Sequence, residues 1–203
     1  MRNTLFILLA LIGFLSSCET QKNDRELAER LNNEAVEQLQ QQDYDKAKEL
    51  LNAAIDADAT YTDPYAYLIQ INLNNNNFEK ALKHSEVVIK KAPEEAENWV
   101  LAGILTEKKG DKKKAFSYYE ESIAWFEKRL KEEKAEANDF EDHDLPLQNE
   151  INIIFSYLLL EEQAEANRLI EDLEKRFPDN AMIQNLYDFD KEMYLSGLFP
   201  EME

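Results

Sequence analysis

One cysteine, two histidines and four glycines are all that this 203-residue chain holds of the residues that most often ligate metals, relay protons or cradle phosphates. A single cysteine, Cys18, can neither close a disulfide within its own chain nor supply a Cys-x-x-Cys metal pair. His84 and His143 are far apart and stand in no HExxH pattern, and no Gly-rich phosphate loop or Gly-x-Ser-x-Gly is present. Positive charge is also short: 23 Lys and Arg face 42 Asp and Glu, a formal net charge of −19. Nucleic-acid binding needs a positive footprint and is excluded as a function class. So acidic a surface as a whole gives no polybasic attraction to anionic lipid. No strand-like alternation persists anywhere, which leaves an all-α chain. No apolar run reaches the roughly 20 residues a membrane-spanning helix requires.

The one long apolar run is Leu5 to Leu15 (LFILLALIGFL), eleven residues behind the positive Arg2. Its length and flank fit the h-region of a secretory signal. Directly after it, Leu15-Ser16-Ser17-Cys18 resembles the lipobox of bacterial lipoproteins. The resemblance implies that residues 1–17 are a signal peptide and that the Cys18 thiol is acylated, with fatty chains such as palmitate. Residues 18–23 then form the acylated cysteine and its tether. Several acyl chains hold stably where one does not, since each buried CH₂ adds about 0.8 kcal/mol. The implied location is the cell envelope, lipid-anchored at the outer membrane.

The remainder is acidic but not disordered, because 44% of the chain is hydrophobic and is arranged periodically. The acid is concentrated late: residues 132–203 hold 20 acidic and 5 basic side chains. Ala47, Ala81 and Ala115 stand 34 residues apart inside similar hexamers, DYDKAK, NFEKAL and DKKKAF. Sixteen residues before them are Leu31, Tyr65 and Trp99; eight after them are Ile55, Ile89 and Ile123; Pro93 follows the second by twelve. A fixed period of this length marks stacked helix pairs that bury their faces only against neighbours. Allowing 17 extra residues brings in a fourth unit with Ile154, Ala166 and Pro178 at matching places. Ala181 to Leu198 reads as a single helix closing the array. Asp43 and Thr62 suit N-caps, and Pro64 fits a first helical turn.

The period, the small residue at the helix crossing, the aromatic before it and the closing proline resemble the tetratricopeptide repeat (TPR), most closely in the unit with Trp99, Gly103 and Gly110. The resemblance implies an all-α, right-handed superhelix of antiparallel helix pairs over residues 24–203. Its repeats run at about 28–61, 62–95, 96–129 and 147–180, with an insertion at 130–146 and a capping helix at 181–199. Position eight is Ala35, Ile69, Gly103 and Ile154 where the family prefers a small residue, so the second and fourth pairs are expected to pack less closely. The first helix of each pair is implied to line a groove for an extended peptide or a partner helix. Carried over by register, the groove residues are Asn32, Val36, Leu39, Ala66, Tyr67, Gln70, Leu73, Val100, Leu101, Ile104, Ile151, Phe155 and Leu158. Some relatives clamp a peptide's C-terminal carboxylate there with basic side chains. Glu97 and Leu101 occupy the matching places here, so that mode is not expected.

Candidate chemistry elsewhere is thin. Asp139, Glu141, Asp142 and Asp144 surround His143, but neither EF-hand spacing nor its glycine is present, and a solvated loop is the better reading. Lys108, Lys109, Lys112, Lys113 and Lys114 form one basic spot at a helix turn, solvated or facing an acidic partner, polyanion or headgroup. The helix beginning at Lys112 is expected to continue through Trp125, Phe126 and Leu130 to about Ala137, with the two aromatics either packed on the fourth pair, the better reading, or exposed as a docking ridge. No catalytic residue, metal or cofactor is expected. The function expected is a protein–protein interaction scaffold in a bacterial envelope complex, anchored through Cys18, with envelope proteins as partners. The alternative is a surface lipoprotein that binds a small molecule or glycan for uptake.

Overall fold

The computed structural model describes residues 24–136 and 147–199. Cys18 and its lipobox, and the acidic group around His143, lie outside the described residues. Ten helices are present among those described: α1 (Arg25–Gln40), α2 (Tyr44–Ala57), α3 (Asp63–Asn74), α4 (Phe78–Lys91), α5 (Ala96–Lys108), α6 (Lys112–Glu136), α7 (Gln148–Leu159), α8 (Gln163–Arg176), α9 (Ala181–Asn185) and α10 (Lys191–Leu198). From α1 to α8 each helix packs on the next, a helical solenoid of four pairs. Ala47, Ala81, Ala115 and Ala166 are fully buried, so the small residue at each crossing lets two backbones approach. Ile154, Ile170 and Leu173 are buried in the last pair. Burial of such a side chain contributes roughly 1.5–3 kcal/mol.

The four turns between paired helices are built alike. Each contains one residue with positive φ: Gln42 (62°), Asn76 (55°), Gly110 (93°) and Glu161 (66°). Each also repeats the same two backbone bonds, in which the N–H of Gln42 reaches the Leu39 carbonyl and that of Asp43 reaches Gln38. The counterparts are Asn76 to Leu73 with Asn77 to Asn72, Gly110 to Glu107 with Asp111 to Thr106, and Glu161 to Leu158 with Glu162 to Tyr157. These bonds satisfy the last carbonyls of one helix while reversing the chain. Only the third turn uses glycine, although the left-handed region disfavours residues with a Cβ. Asp43 and Asp111 then cap the following helices, accepting from the backbone N–H of Lys46 (3.0 Å) and Lys114 (3.1 Å). Thr62 makes no side-chain cap; its carbonyl starts α3 instead, behind Pro64.

Position eight of the repeat is matched by the residue sixteen places later. The pairs are Ala35 with Leu51, Ile69 with Ser85, Gly103 with Tyr119 and Ile154 with Ile170. All eight are buried. The second and fourth pairs, with isoleucine at position eight, make less contact than the first and third, as expected; behind Ile69 in sequence, the Ser85 hydroxyl turns back to donate to the Ala81 carbonyl (3.1 Å). In the third pair the bulk is on the other side, and the Tyr119 ring fills the space over Gly103.

Helix α6 runs well past its partner, as the sequence implied. Phe126 is buried with Ile123, Ala96 and Ile153, and Trp125 packs half-buried against this group. Arg129 anchors the extension, donating through Nη1 and Nη2 to both oxygens of Glu97 (2.6 and 3.1 Å) and through Nη2 to the Glu94 carbonyl (3.0 Å). The segment expected as one capping helix is two. Asp190 is extended (φ −108°, ψ 109°) and its carboxylate caps α10 by accepting from the Met193 N–H, so the chain breaks over residues 186–190. Helix α9 stays on the last pair through Ile183. Helix α10 turns back along the array.

Candidate protein-interaction face and the C-terminal arm

Helices α1, α3, α5 and α7 supply the face the groove residues were assigned to. Ala66 and Gln70 are exposed one turn apart on α3, with Tyr67 and Leu73 half-buried beside them. Val36 and Leu39 on α1, Val100 and Leu101 on α5, and Ile151 on α7 are likewise half-buried. Leu39 and Tyr67 pack on one core group, while Leu73 and Leu101 pack on another. Four candidates are not on an open face: Asn32, Ile104, Leu158 and Phe155. Asn32 is 4% exposed and its amide donates to the Tyr61 hydroxyl (3.4 Å), tying α1 to the loop before α3. Ile104 is 5% exposed in the central core, and Leu158 is buried against α8. An amphipathic helix within a solenoid has neighbours on both flanks, which widens its buried stripe beyond the register rule.

Phe155 is covered by the chain itself. Its ring meets Phe189 (5.4 Å) and Tyr194 (5.2 Å) edge-on, and those two rings lie 5.5 Å apart. The arm continues to Phe199, which packs edge-on against Phe78 at the start of α4 (4.8 Å). Lys108 lies over both of these rings, 4.8 Å from Phe78 and 4.5 Å from Phe199. Thus residues 189–199 touch the fourth, third and second pairs in turn.

Lys191 fastens the near end. Its ammonium is 2.7 Å from Glu107, and the two side chains are 12% and 13% exposed. It also donates to the Leu159 carbonyl (2.5 Å) and Glu161 (3.1 Å), and sits over the rings of Phe116 (4.9 Å) and Tyr119 (5.7 Å). Tyr119 in turn donates to Glu107 (2.9 Å). Burial, followed by the Glu107 charge, pushes the Tyr119 phenol far up, so it remains a donor. A hydrogen bond from Lys112 holds Glu161 below the usual carboxylate range, with Lys191 adding to the effect. A buried lysine with two carboxylates and a carbonyl is the satisfied arrangement that burying a charge demands.

The basic spot is largely engaged within the chain: Lys112 pairs with Glu161 (2.6 Å), Lys114 with Glu86 (2.6 Å), and Lys108 with the two rings. His84 lies half-buried beside Tyr65 (ring centroids 6.0 Å), and burial lowers its pKa. Among the described residues no group of three or more His, Cys, Asp or Glu is arranged to hold a metal ion. Among those residues, no helix is long and apolar enough to cross a membrane. Sequence reasoning missed Glu107, Phe116, Phe78, Lys191, Tyr194 and Phe199 as one contact surface. One signal was present: Lys191 is the single basic residue after Arg176.

Two tetratricopeptide repeat models match the sequence, one over residues 38–103 and one over 96–129. Those residues are tetratricopeptide repeats. Repeats of this kind typically bind peptides or other proteins, and proteins built from them are generally non-enzymatic scaffolds. No curated protein matches the chain in sequence. Among solved structures, the chain is similar to a thermophilic TPR protein of Thermus thermophilus, at 15% identity and a TM-score of 0.46, over 84% of this chain and 82% of that one.

Proposed function

We propose that the protein is a lipid-anchored scaffold of the bacterial cell envelope, held at the outer membrane through Cys18, whose repeats bind a segment of another envelope protein. The observation that carries the binding role is the repeat array, with a stripe on α3 (Ala66, Tyr67, Gln70, Leu73) that mixes exposed polar and half-buried apolar side chains. Such a mixture supports an interaction hot spot. The anchor is supported by the eleven-residue apolar run and the single cysteine after Leu15-Ser16-Ser17. Val36, Leu39, Val100 and Leu101 extend the proposed binding face on both sides. The partner is a peptide or helix, and the charge of −19 favours a basic or amphipathic one by steering.

The test is crosslinking in native cells followed by affinity purification from membranes, beside an Ala66→Arg/Gln70→Arg variant. Both positions are exposed, so the variant keeps its helix content while blocking the stripe. A partner recovered with the parent and lost with the variant supports the reading. No enriched partner, together with affinity for a small molecule or glycan, would instead favour uptake of that compound.

A further inference from the structure

We infer that the surface beneath α10 is a recognition site for a partner's helical segment, and that residues 189–199 are its resident stand-in. This deepens the scaffold reading above and rests on it. The arm displays the chemistry the site accepts. A lysine enters between Glu107 and Glu161; an aromatic three residues on meets Phe155; a large apolar residue eight on meets Phe78. The partner segment therefore carries a lysine, aromatic or aliphatic side chains three and four places later, and an aromatic at the eighth.

Three observations make the arm replaceable rather than a fixed cap. Helix α10 has eight residues, below the roughly 12–15 that sustain an isolated helix, and it hangs on the non-helical stretch 186–190. A cleft of about 310 Å³, lined by Glu107, Lys108, Leu195, Ser196 and Phe199, opens between the second half of α10 and α5, so the contact is not closed along its length. The arm is also acidic around its lysine: Asp188, Asp190 and Glu192 flank Lys191 on a chain already at −19. A segment with the same anchors and basic flanks is steered to so acidic a chain more strongly than the arm is, which commits the partner to a basic amphipathic helix. Met193, 68% exposed, and Leu198 point away from the site and take no part in it.

The probe is a fluorescent peptide of residues 186–199 carrying Asp188→Asn and Glu192→Gln, titrated into the parent chain and into a Lys191→Glu/Tyr194→Ala variant whose arm is unseated. Apparent affinity is reduced by the fraction of sites the arm occupies. The unseated variant is expected to bind at least about tenfold more tightly than the parent. A peptide that also carries Lys191→Glu is expected to lose at least about tenfold, since its charge would face two carboxylates. Amide exchange on the parent chain needs no variant: excess peptide should speed exchange over residues 191–198. Equal affinity for both chains, insensitivity to the lysine reversal, or unchanged exchange would overturn the inference. Dimers of the parent chain formed through exchanged arms would assign the site to a second copy and overturn it as well. The two readings fail separately. A cellular partner that persists while these titrations are negative removes only the arm site; positive titrations stand even where no partner is recovered.

Discussion

Gly103 of α5 lies directly under the ring of Tyr119 from α6. A Cβ built on that glycine would sit 2.6 Å from Cδ1 and nearer still to Cε1. The ring cannot swing away freely, because it is buried and its hydroxyl is held by Glu107. One missing side chain thus sets the spacing of the third pair and, through Glu107, the seat of Lys191.

Gly103→Ala should therefore destabilise the protein by about 1–3 kcal/mol, the usual cost of overpacking a core. For a chain of this size each kcal/mol corresponds to a drop of about 2–4 °C in melting temperature. Thermal melts of the single variant and of Gly103→Ala/Tyr119→Leu check this; the smaller ring-free side chain should recover part of the loss. An unchanged melt for the single variant would mean the ring yields more easily than its burial implies.

The four turns make opposite predictions for opposite changes. Gln42 is exposed and holds a positive φ without glycine's freedom, so Gln42→Gly should stabilise by about 1 kcal/mol. Gly110→Ala, at φ 93°, should destabilise by about 1 kcal/mol although nothing stands near its missing Cβ. Urea unfolding midpoints should move in these two directions with unchanged slopes. Movement in the same direction would refute a purely local cause.

Asp58 gives the pH dependence. Its carboxylate is 2% exposed, accepts from the Thr60 hydroxyl (2.6 Å) and N–H (2.8 Å), and pairs with Arg25 (2.8 Å). The Thr60 hydroxyl bond, ahead of Arg25, holds its pKa below the ordinary 3.8. The unfolded chain takes up this proton first, so the contribution is complete above about pH 3.8 and is lost as pH falls through the lowered folded value. Asp58→Asn should melt lower than the parent at neutral pH, and the gap should close on acidification below that range. A gap independent of pH would assign the loss to shape and not to charge.

The anchor is tested by Cys18→Ser. The variant precursor should stay uncleaved and unlabelled by a fatty-acid analogue, while the parent is processed and partitions into the detergent phase. Normal processing of the variant would remove the anchor from the proposed function.

Much of the architecture was legible because each repeat is a local solution used again. The 34-residue spacing placed Ala47, Ala81 and Ala115 at buried crossings, and the 17-residue allowance put Ala166 at the fourth. Clusters of turn-forming residues, the asparagines at 75–77 and Lys-Gly-Asp at 109–111, mark turns between paired helices. Ile69 and Ile154 at position eight pointed to looser second and fourth pairs, and these two pairs do make less contact than the first and third. Thr62 looked like a cap by residue type, but a helical backbone there turns its hydroxyl out of the role.

The binding face was less legible. Asn32 and Ile104 share a register with open positions and are nevertheless covered. Periodicity says which side of a helix is apolar, but not how far its neighbours wrap around it. By itself the sequence determined the helix pairs, their number and their turns, because these depend on residues within one repeat length of each other. Only the tertiary structure decided that α10 leaves the end of the array and seats Lys191 between Glu107 and Glu161. Its contact with Glu107 joins residues 84 positions apart, more than two repeat lengths. Contacts at such separations follow no period, and whether they form depends on the shape and charge of a surface that exists only once the repeats have stacked.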